Sequence, residues 1–233
     1  MPHRKYPKIL IASNSQASSS GLVSNANYPS LLRTTFNDHC DVQSLLVSGW
    51  TILDFYQNLI DNVIANEPDL VILHFGIVES AQRILSMNEK KLLSLVPFGS
   101  KITSFLHNNR SLVLRIRRYF RVSTRVMRLD HFSAAVQNVV QCFEDNKIDY
   151  LFVLTPLLPN NGEAISHPFI NQDLLSYNQV MSKYRSVDLN SSDIKWIMSD
   201  YQDGTVHFTE QGHQKIHASL MPFISQSLQR HKR

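Results

Sequence analysis

Short, almost uninterrupted apolar runs constrain the fold of this chain more than any other feature of its sequence. Two of them, LVILHF and YLFVLT, lack the polar alternation of a half-exposed strand. They therefore indicate strands that are buried on both faces of a parallel sheet. Runs of this kind predict five strands, at Lys8–Ser13, Val42–Val47, Leu70–Phe75, Tyr150–Thr155 and Ile194–Met198.

The segments between these runs repeat apolar residues at helical spacing. Three such stripes predict amphipathic helices that pack against the sheet. Their members are Ile52, Phe55, Leu59, Ile60 and Val63; Phe132, Val136, Val139, Val140 and Phe143; and Ile216, Leu220, Phe223 and Ile224. Strand and helix alternate along the chain, which predicts a single domain over residues 1–233. The expected architecture is a three-layer α/β/α sandwich with a five-stranded, flavodoxin-like parallel sheet.

The composition is that of a globular, water-soluble protein, with 43% hydrophobic and 18% charged residues among 233. No apolar run approaches the roughly 18–20 residues that cross a bilayer. The first residues show no signal-peptide pattern, so we expect a cytoplasmic protein. In that compartment Cys40 and Cys142 are expected to be reduced and buried rather than bridged.

The net charge of +4 is unevenly distributed. Ten Lys or Arg residues and no acid lie between Lys90 and Leu129, which leaves 13 basic against 19 acidic residues elsewhere. Residues 97–130 interrupt the strand–helix alternation, and we interpret them as a basic insertion with a short amphipathic helix. A solvated face, an active-site lid, a patch that binds an anionic substrate through Arg115 and Arg118, and a membrane-surface contact all fit this segment. Because the charge is local and no nucleic-acid-binding module is recognisable, we expect no nucleic-acid partner.

Candidate site residues follow the predicted strands, since ligands of an open parallel sheet bind beyond the carboxyl ends of its strands. Ser15 follows the first strand in a turn where its hydroxyl can face solvent beside free backbone N–H groups, although the same serine suits a turn or a helix cap. Gly49 follows the second strand and permits close approach of the backbone to a ligand. Asn14, His74 and Glu79 lie at the same expected edge and are candidates for substrate contact.

A histidine with a nearby carboxylate stands close to the carboxyl terminus, in DGTVHFTEQGH. His207 precedes the last predicted helix, which Thr209 is expected to cap, and Asp203 lies shortly before it. A base oriented by an acid is what a serine needs to become a nucleophile. His213, further on, is expected to be structural. No zinc-ligand spacing is recognisable, so neither a metal nor another cofactor is expected.

Taken in order, these four segments resemble the conserved blocks of the SGNH, or GDSL-type, hydrolases along nearly the whole chain. ILIASNS resembles the strand that ends in Gly-Asp-Ser, LLVSGWTI the block with an oxyanion-binding glycine, and DLVILHFGIVES the strand that ends in Gly-x-Asn-Asp. DGTVHFTEQGH resembles the Asp-x-x-His block and is the most specific match. The resemblance implies Ser15 as nucleophile, His207 as base, Asp203 as orienting acid, and the N–H groups of Ser15 and Gly49 as an oxyanion hole.

Three positions depart from the family pattern. Ser13 and Asn14 stand in place of the Gly-Asp that precedes the nucleophile. Val78 occupies the third-block asparagine position, and losing one such oxyanion donor costs on the order of 10²–10³ in rate. The acid is expected three residues before the base, where Gly204 stands, and Asp203 lies one residue earlier.

The resemblance implies a serine esterase that removes an acyl group, expected to be acetyl, from a carbohydrate or another small ester. HFGIVES together with Arg83 resembles SGNH-like proteins of bacterial surface-polysaccharide synthesis, which favours a glycan ester. Two alternatives stay open: an O-acyltransferase that passes the acyl group to a sugar hydroxyl, and a non-catalytic glycan-binding protein. The sequence does not identify the acyl group, the glycan or the oligomeric state.

Overall fold

The computed structural model describes residues 6–18, 25–120, 122, 125–160 and 162–231. Its strands are β1 (Lys8–Ser13), β2 (Asp41–Leu46), β3 (Leu70–His74), β4 (Asp149–Leu154) and β5 (Ser186–Asp188). Its α-helices are α1 (Tyr28–Phe36), α2 (Ile52–Ala65), α3 (Ile77–Ser80), α4 (Met87–Ser94), α5 (Gly99–Asn108), α6 (Arg110–Tyr119), α7 (Leu129–Asp145), α8 (Gly162–Ser166), α9 (Ile170–Met181) and α10 (Glu210–His231). Single 3₁₀ turns lie at Ser15–Ala17 and Met198–Asp200.

The five strands form one parallel sheet in the order β2-β1-β3-β4-β5, which confirms the predicted α/β fold. Ser13, at the end of β1, pairs with Leu46 of β2 and with His74 of β3. The carboxyl ends of these three strands therefore meet at one edge of the sheet, and the loops that follow them lie together.

Helices cover both faces of the sheet, and alternate residues of each strand serve opposite faces. Ile9 and Ile11 of β1 pack in a core with α1 and α10. Leu10 and Ala12 pack in a second core with α2 and α7. This two-sided burial is the reason why the strands read as continuous apolar runs.

Four predicted strands agree with the structure to within one residue at each end, but the fifth was wrong. Residues Ile194–Met198 form no strand, and the last strand is β5, which pairs with β4. Ile194 and Trp196 pack against the core from a loop, and the Trp196 indole N–H donates to the Leu189 carbonyl at 2.6 Å. Their apolar character therefore reflects packing of side chains and not membership of the sheet.

The basic insertion is more helical than the sequence suggested, since it contains α5 and α6 and is directly preceded by α4, instead of forming one short helix. Leu114 of α6 is buried in a small third core with Ile84 and Leu85. Among the described residues, no helix combines the length and the hydropathy that crossing a bilayer requires.

Candidate active site

Ser15 lies in a tight turn at the carboxyl end of β1. The turn is held by Asn14, whose buried side chain accepts a hydrogen bond from the Gln16 N–H at 3.1 Å. On the other side, the backbone N–H of Ser18 donates to the Ser15 carbonyl at 3.1 Å, and the Ser18 hydroxyl donates to it at 2.7 Å. Ser15 itself is half-buried, so its hydroxyl is fixed at the edge of the sheet while remaining accessible.

His207 meets Ser15 from the far end of the chain. It lies in the loop before α10, where its carbonyl accepts from the Gln202 N–H at 2.8 Å and its N–H donates to the Thr205 hydroxyl at 3.1 Å. These bonds direct the ring so that His207 Nε2 lies 3.1 Å from Ser15 Oγ. That distance permits transfer of the serine proton to the imidazole.

Gln16 links the two segments that carry this pair. Its side-chain amide donates to the carbonyl of Val206 at 3.0 Å, so the residue after Ser15 is bonded to the residue before His207. The Gln16 side chain is buried, which protects this bond from water. Gln16 was not predicted from the sequence, where its only signal is a polar side chain adjacent to the candidate nucleophile.

The electrostatic surroundings keep His207 able to accept a proton. Partial burial lowers its pKa, and the charge of Glu163 acts in the opposite direction without reversing the shift. The pKa of Glu163 is itself lowered, first by its hydrogen bond with His167, whose Nδ1 lies 2.9 Å from Glu163 Oε1. A neutral imidazole beside an ionised carboxylate is the state that a general base requires near neutral pH.

Asp203 is exposed, and among the described residues no hydrogen bond joins it to His207. The carboxylate whose charge acts on His207 comes instead from α8, where Glu163 follows Gly162. A Cβ added to Gly162 would lie 3.2 Å from the Gly204 Cα, so α8 packs closely on the His207 loop. Gly204 has φ +67°, a left-handed backbone that favours glycine at that position.

Backbone donors for an oxyanion are expected at the turn after β2. Gly49 is exposed there with φ +76°, and its Cα faces open space. It lies three residues beyond Leu46, which pairs with Ser13, so Gly49 and Ser15 share one edge of the sheet. Val78, at the third-block position, is half-buried against the core and has no side-chain donor.

His74 and Glu79 are fully buried, so the structure does not place them where a substrate could touch them. His74 Nδ1 lies 3.3 Å from the Tyr28 hydroxyl, and burial lowers its pKa to about 3. Glu79 accepts the N–H groups of Ile52 and Gly76 at 2.7 and 2.8 Å, and burial raises its pKa to about 7. Through these two bonds Glu79 fixes the turns that follow β2 and β3. Asn14 is likewise buried, and its side chain stabilises the turn that contains Ser15.

Several cations of the basic insertion are engaged in ion pairs within the protein. Arg118 Nη1 lies 2.9 Å from an oxygen of the buried Asp173, and Arg117 Nη1 lies 2.8 Å from Glu89. Arg118 therefore fastens α6 to α9, and it is less free to meet a substrate than the sequence suggested. Arg115 is exposed on α6, and no ion pair to it is seen in the described part of the chain.

Within the described ranges, no three His, Cys, Asp or Glu side chains lie close enough together to hold a metal ion. Cys40 and Cys142 are not joined by a disulfide; the first is buried and the second half-buried.

Comparisons of sequence find no family model and no curated protein that matches this chain. Comparison of structures does find similar proteins. The acetyl xylan esterase AlAXEase is 14% identical with a TM-score of 0.63, over 93% of this chain and 99% of that one. A lipase/acylhydrolase from Enterococcus faecalis is 14% identical with a TM-score of 0.63, over 94% and 95% of the two chains.

The psychrotrophic esterase EstA from Pseudoalteromonas sp. is 13% identical with a TM-score of 0.60, over 95% of this chain and 98% of that one. Others among the similar structures are described as GDSL-like or G-D-S-L family lipolytic proteins. At such low identity the likeness concerns the fold, and it extends over almost the whole length of both partners. The chain therefore has the α/β fold of the SGNH, or GDSL-type, hydrolases.

Proposed function

We propose that this protein is a serine-dependent carboxylic ester hydrolase, with Ser15 as nucleophile and His207 as general base. The observation that carries the proposal is the 3.1 Å approach of Ser15 Oγ and His207 Nε2, brought together from opposite ends of the chain. The lowered pKa of His207 and the rigid turn that presents Ser15 agree with these roles.

The proposed reaction passes through an acyl-enzyme. Ser15 Oγ attacks the ester carbonyl carbon while its proton moves to His207 Nε2, and the N–H groups of Ser15 and Gly49 donate hydrogen bonds to the developing oxyanion. The C–O bond to the alcohol then breaks, and His207 returns the proton to the leaving oxygen. Water, deprotonated by His207, attacks the acyl-Ser15 ester, which releases the carboxylic acid and restores the serine.

We propose that the acid that assists His207 is supplied by Glu163, with Asp203 as the alternative that the family resemblance implies. The charge of Glu163 acts on His207, whereas Asp203 is exposed. Because Glu163 also binds His167, its effect on His207 is expected to be electrostatic stabilisation of the imidazolium more than orientation of the ring.

For the substrate, we propose an acetyl ester of a carbohydrate. The support is the family resemblance of the HFGIVES segment and the similarity of fold to an acetyl xylan esterase. Because Val78 stands in place of the third-block asparagine, the proposed oxyanion hole lacks one side-chain donor. We expect turnover to be lower by on the order of 10²–10³ than in an enzyme with that donor.

The decisive experiment is labelling with a fluorophosphonate probe followed by peptide mapping. The parent and Ser13→Ala proteins should be labelled on Ser15, because the buried Ser13 hydroxyl donates to the His74 carbonyl and is not available to react. Ser15→Ala should be neither labelled nor active on short acyl esters. His207→Ala should lose as much activity, and the double variant little more, since the members of such a pair act as a unit.

Other outcomes distinguish the alternatives. Absence of labelling in a folded parent protein, together with absence of hydrolysis, would favour a glycan-binding protein without catalysis. Transfer of an acyl group from an activated donor to a sugar, in preference to water, would identify an O-acyltransferase. Labelling on a serine other than Ser15 would refute the assignment of the nucleophile.

A further inference from the structure

The helices of the basic insertion expose an unusual amount of apolar surface. Of sixteen large hydrophobic side chains that are exposed among the described residues, eleven lie between positions 92 and 122. We call nine of them, all on or directly beside α4, α5 and α6, the insertion surface. They are Leu92, Leu95, Phe98, Ile102, Phe105, Leu112, Ile116, Tyr119 and Phe120.

These side chains follow helical periodicity, so they form stripes and are not scattered. On α6, Leu112, Ile116 and Tyr119 recur at spacings of four and three residues, while the opposite face buries Leu114. Tyr119 is 82% exposed. A helix that already has a buried face does not need a second apolar stripe for folding, and an exposed apolar stripe of this kind indicates an interaction site.

The stripe that leads into α5 has the same character. Phe98, Ile102 and Phe105 recur at spacings of four and three residues, and Phe98 is 70% exposed. Phe98 also has φ +64°, a left-handed backbone that favours glycine. A strained residue that holds an aromatic ring in water is typical of a functional contact.

Most charged side chains around these stripes are positive, and Glu89 of α4 is paired with Arg117. Lys90, Lys91, Lys101 and Arg115 are exposed, and no ion pair to them is seen in the described ranges of the chain. Lys101 Nζ lies 5.4 Å from the centre of the Phe98 ring, so cation and apolar side chain occupy one patch. No Asp or Glu occurs between Lys90 and Leu129.

We propose that the insertion surface docks the protein on an anionic lipid bilayer, with the α4–α6 helices lying in the interface. Amphipathic helices with aromatic and aliphatic residues flanked by Lys and Arg bind such surfaces through apolar burial and electrostatic attraction. A second copy of the chain fits less well, since an isologous contact would oppose two patches of mainly positive charge.

Docking in this orientation would hold the catalytic candidates near the lipid. Helix α6 contacts α8, and the charge of Arg110 acts on Glu163, which in turn acts on His207. The inference does not depend on the chemistry of Ser15, because the insertion surface contains none of the proposed catalytic residues. Ester hydrolysis and bilayer binding can therefore fail separately.

The test is flotation of the full chain with vesicles of phosphatidylcholine alone and of phosphatidylcholine mixed with phosphatidylglycerol. We expect binding to the anionic vesicles, weakened by added salt because screening shortens the range of the attraction. Changing Lys90, Lys91, Lys101 and Arg115 together to Gln should weaken that binding by about a hundredfold or more, at about fivefold per cation near the surface.

The matched charge control removes four exposed cations elsewhere: Lys147, Lys183, Lys195 and Arg230, all changed to Gln. It carries the same net charge as the test variant and should bind anionic vesicles nearly as well as the parent. Equal losses in the two variants would show attraction by total charge alone and would overturn the proposal.

The apolar part is tested with Phe98→Ser, Phe105→Ser and Tyr119→Ser combined, against Leu175→Ser, an exposed apolar residue on α9. The triple variant should lose at least about tenfold in binding, while its circular dichroism spectrum and Tm stay near those of the parent. Equal binding to neutral and anionic vesicles would contradict the proposal. A second contradicting result would be a parent protein that binds no vesicles and sediments as a dimer, together with a triple variant that sediments as a monomer.

Discussion

Replacing Asp173 with asparagine should loosen the attachment of the basic insertion and lower the stability of the whole protein. Asp173 lies on α9 with no solvent exposure. One of its oxygens accepts from Arg118 at 2.9 Å and from Arg125 at 2.5 and 2.9 Å, and the other accepts from the Gln82 amide at 2.8 Å. The Asp173→Asn variant keeps the shape, removes the charge, and turns an amide N–H₂ toward one of these donors.

The size of the effect follows from the burial of the partners. Removing one member of a fully buried ion pair costs about 3–5 kcal/mol. The side chains of Arg118 and Arg125 keep 30% and 25% exposure, so water compensates in part. We therefore expect the free energy of unfolding to fall by about 2–3 kcal/mol. For a chain of this length about 2–4 °C is lost per kcal/mol, which gives a decrease in Tm of about 4–12 °C.

The assay is thermal unfolding followed by calorimetry and circular dichroism, and the control is Asp203→Asn. Asp203 is exposed, so removing the same charge there should change stability by no more than about 0.5 kcal/mol. The reasoning is refuted if the Tm of Asp173→Asn lies within about 1 °C of the Tm of Asp203→Asn. A difference of that size is on the order of measurement error and far smaller than the expected decrease. It would mean that the arginines find equal partners when Asp173 loses its charge.

Three further predictions concern pH. The kcat/KM for ester hydrolysis should rise with pH to a plateau, with its inflection below the ordinary histidine value of 6.5, because burial lowers the pKa of His207. Glu163→Gln should move that inflection to a lower pH, since it removes the charge that raises this pKa, whereas Asp203→Asn should leave it in place; coincident profiles for the parent and Glu163→Gln would exclude the proposed acid. Burial also lowers the pKa of His213 to about 4, so the unfolded chain binds a proton that the folded protein excludes, and this contribution to stability is lost as the pH falls from 6.5 toward 4. Urea unfolding at several pH values should therefore show a slope that His213→Gln reduces by about 1.4 kcal/mol per pH unit, and an unchanged slope would contradict the buried neutral imidazole.

Much of the fold could be predicted from the sequence because the parallel sheet is covered on both faces. Each strand then needs apolar residues on both sides, and LVILHF and YLFVLT carry that requirement in consecutive positions. The strand β5 escaped prediction because it has three residues and one buried position, too few for a pattern to emerge. The strand predicted at Ile194 and Trp196 was wrong because residues of a loop that packs against the core are as apolar as residues of a buried strand.

Part of the candidate site was equally predictable. Parallel strands end at a common edge, so the residues that follow β1 and β2 had to lie close together, and the family resemblance added His207. The approach of Ser15 and His207 to 3.1 Å agrees with that expectation. Gly204 at the expected acid position was also visible, although its left-handed backbone was not.

The tertiary structure alone decided which polar groups meet. Gln16 bonds to Val206, and Glu163 acts on His207, across separations that no local pattern records. The sequence also did not distinguish the arginines of the basic insertion. Arg118 is paired with the buried carboxylate of Asp173, whereas Arg115 is exposed to solvent. Hydrophobic periodicity can be recognised from residues that are close in sequence. Hydrogen bonds and ion pairs between distant segments cannot, because they depend on distances that are set only when the chain folds.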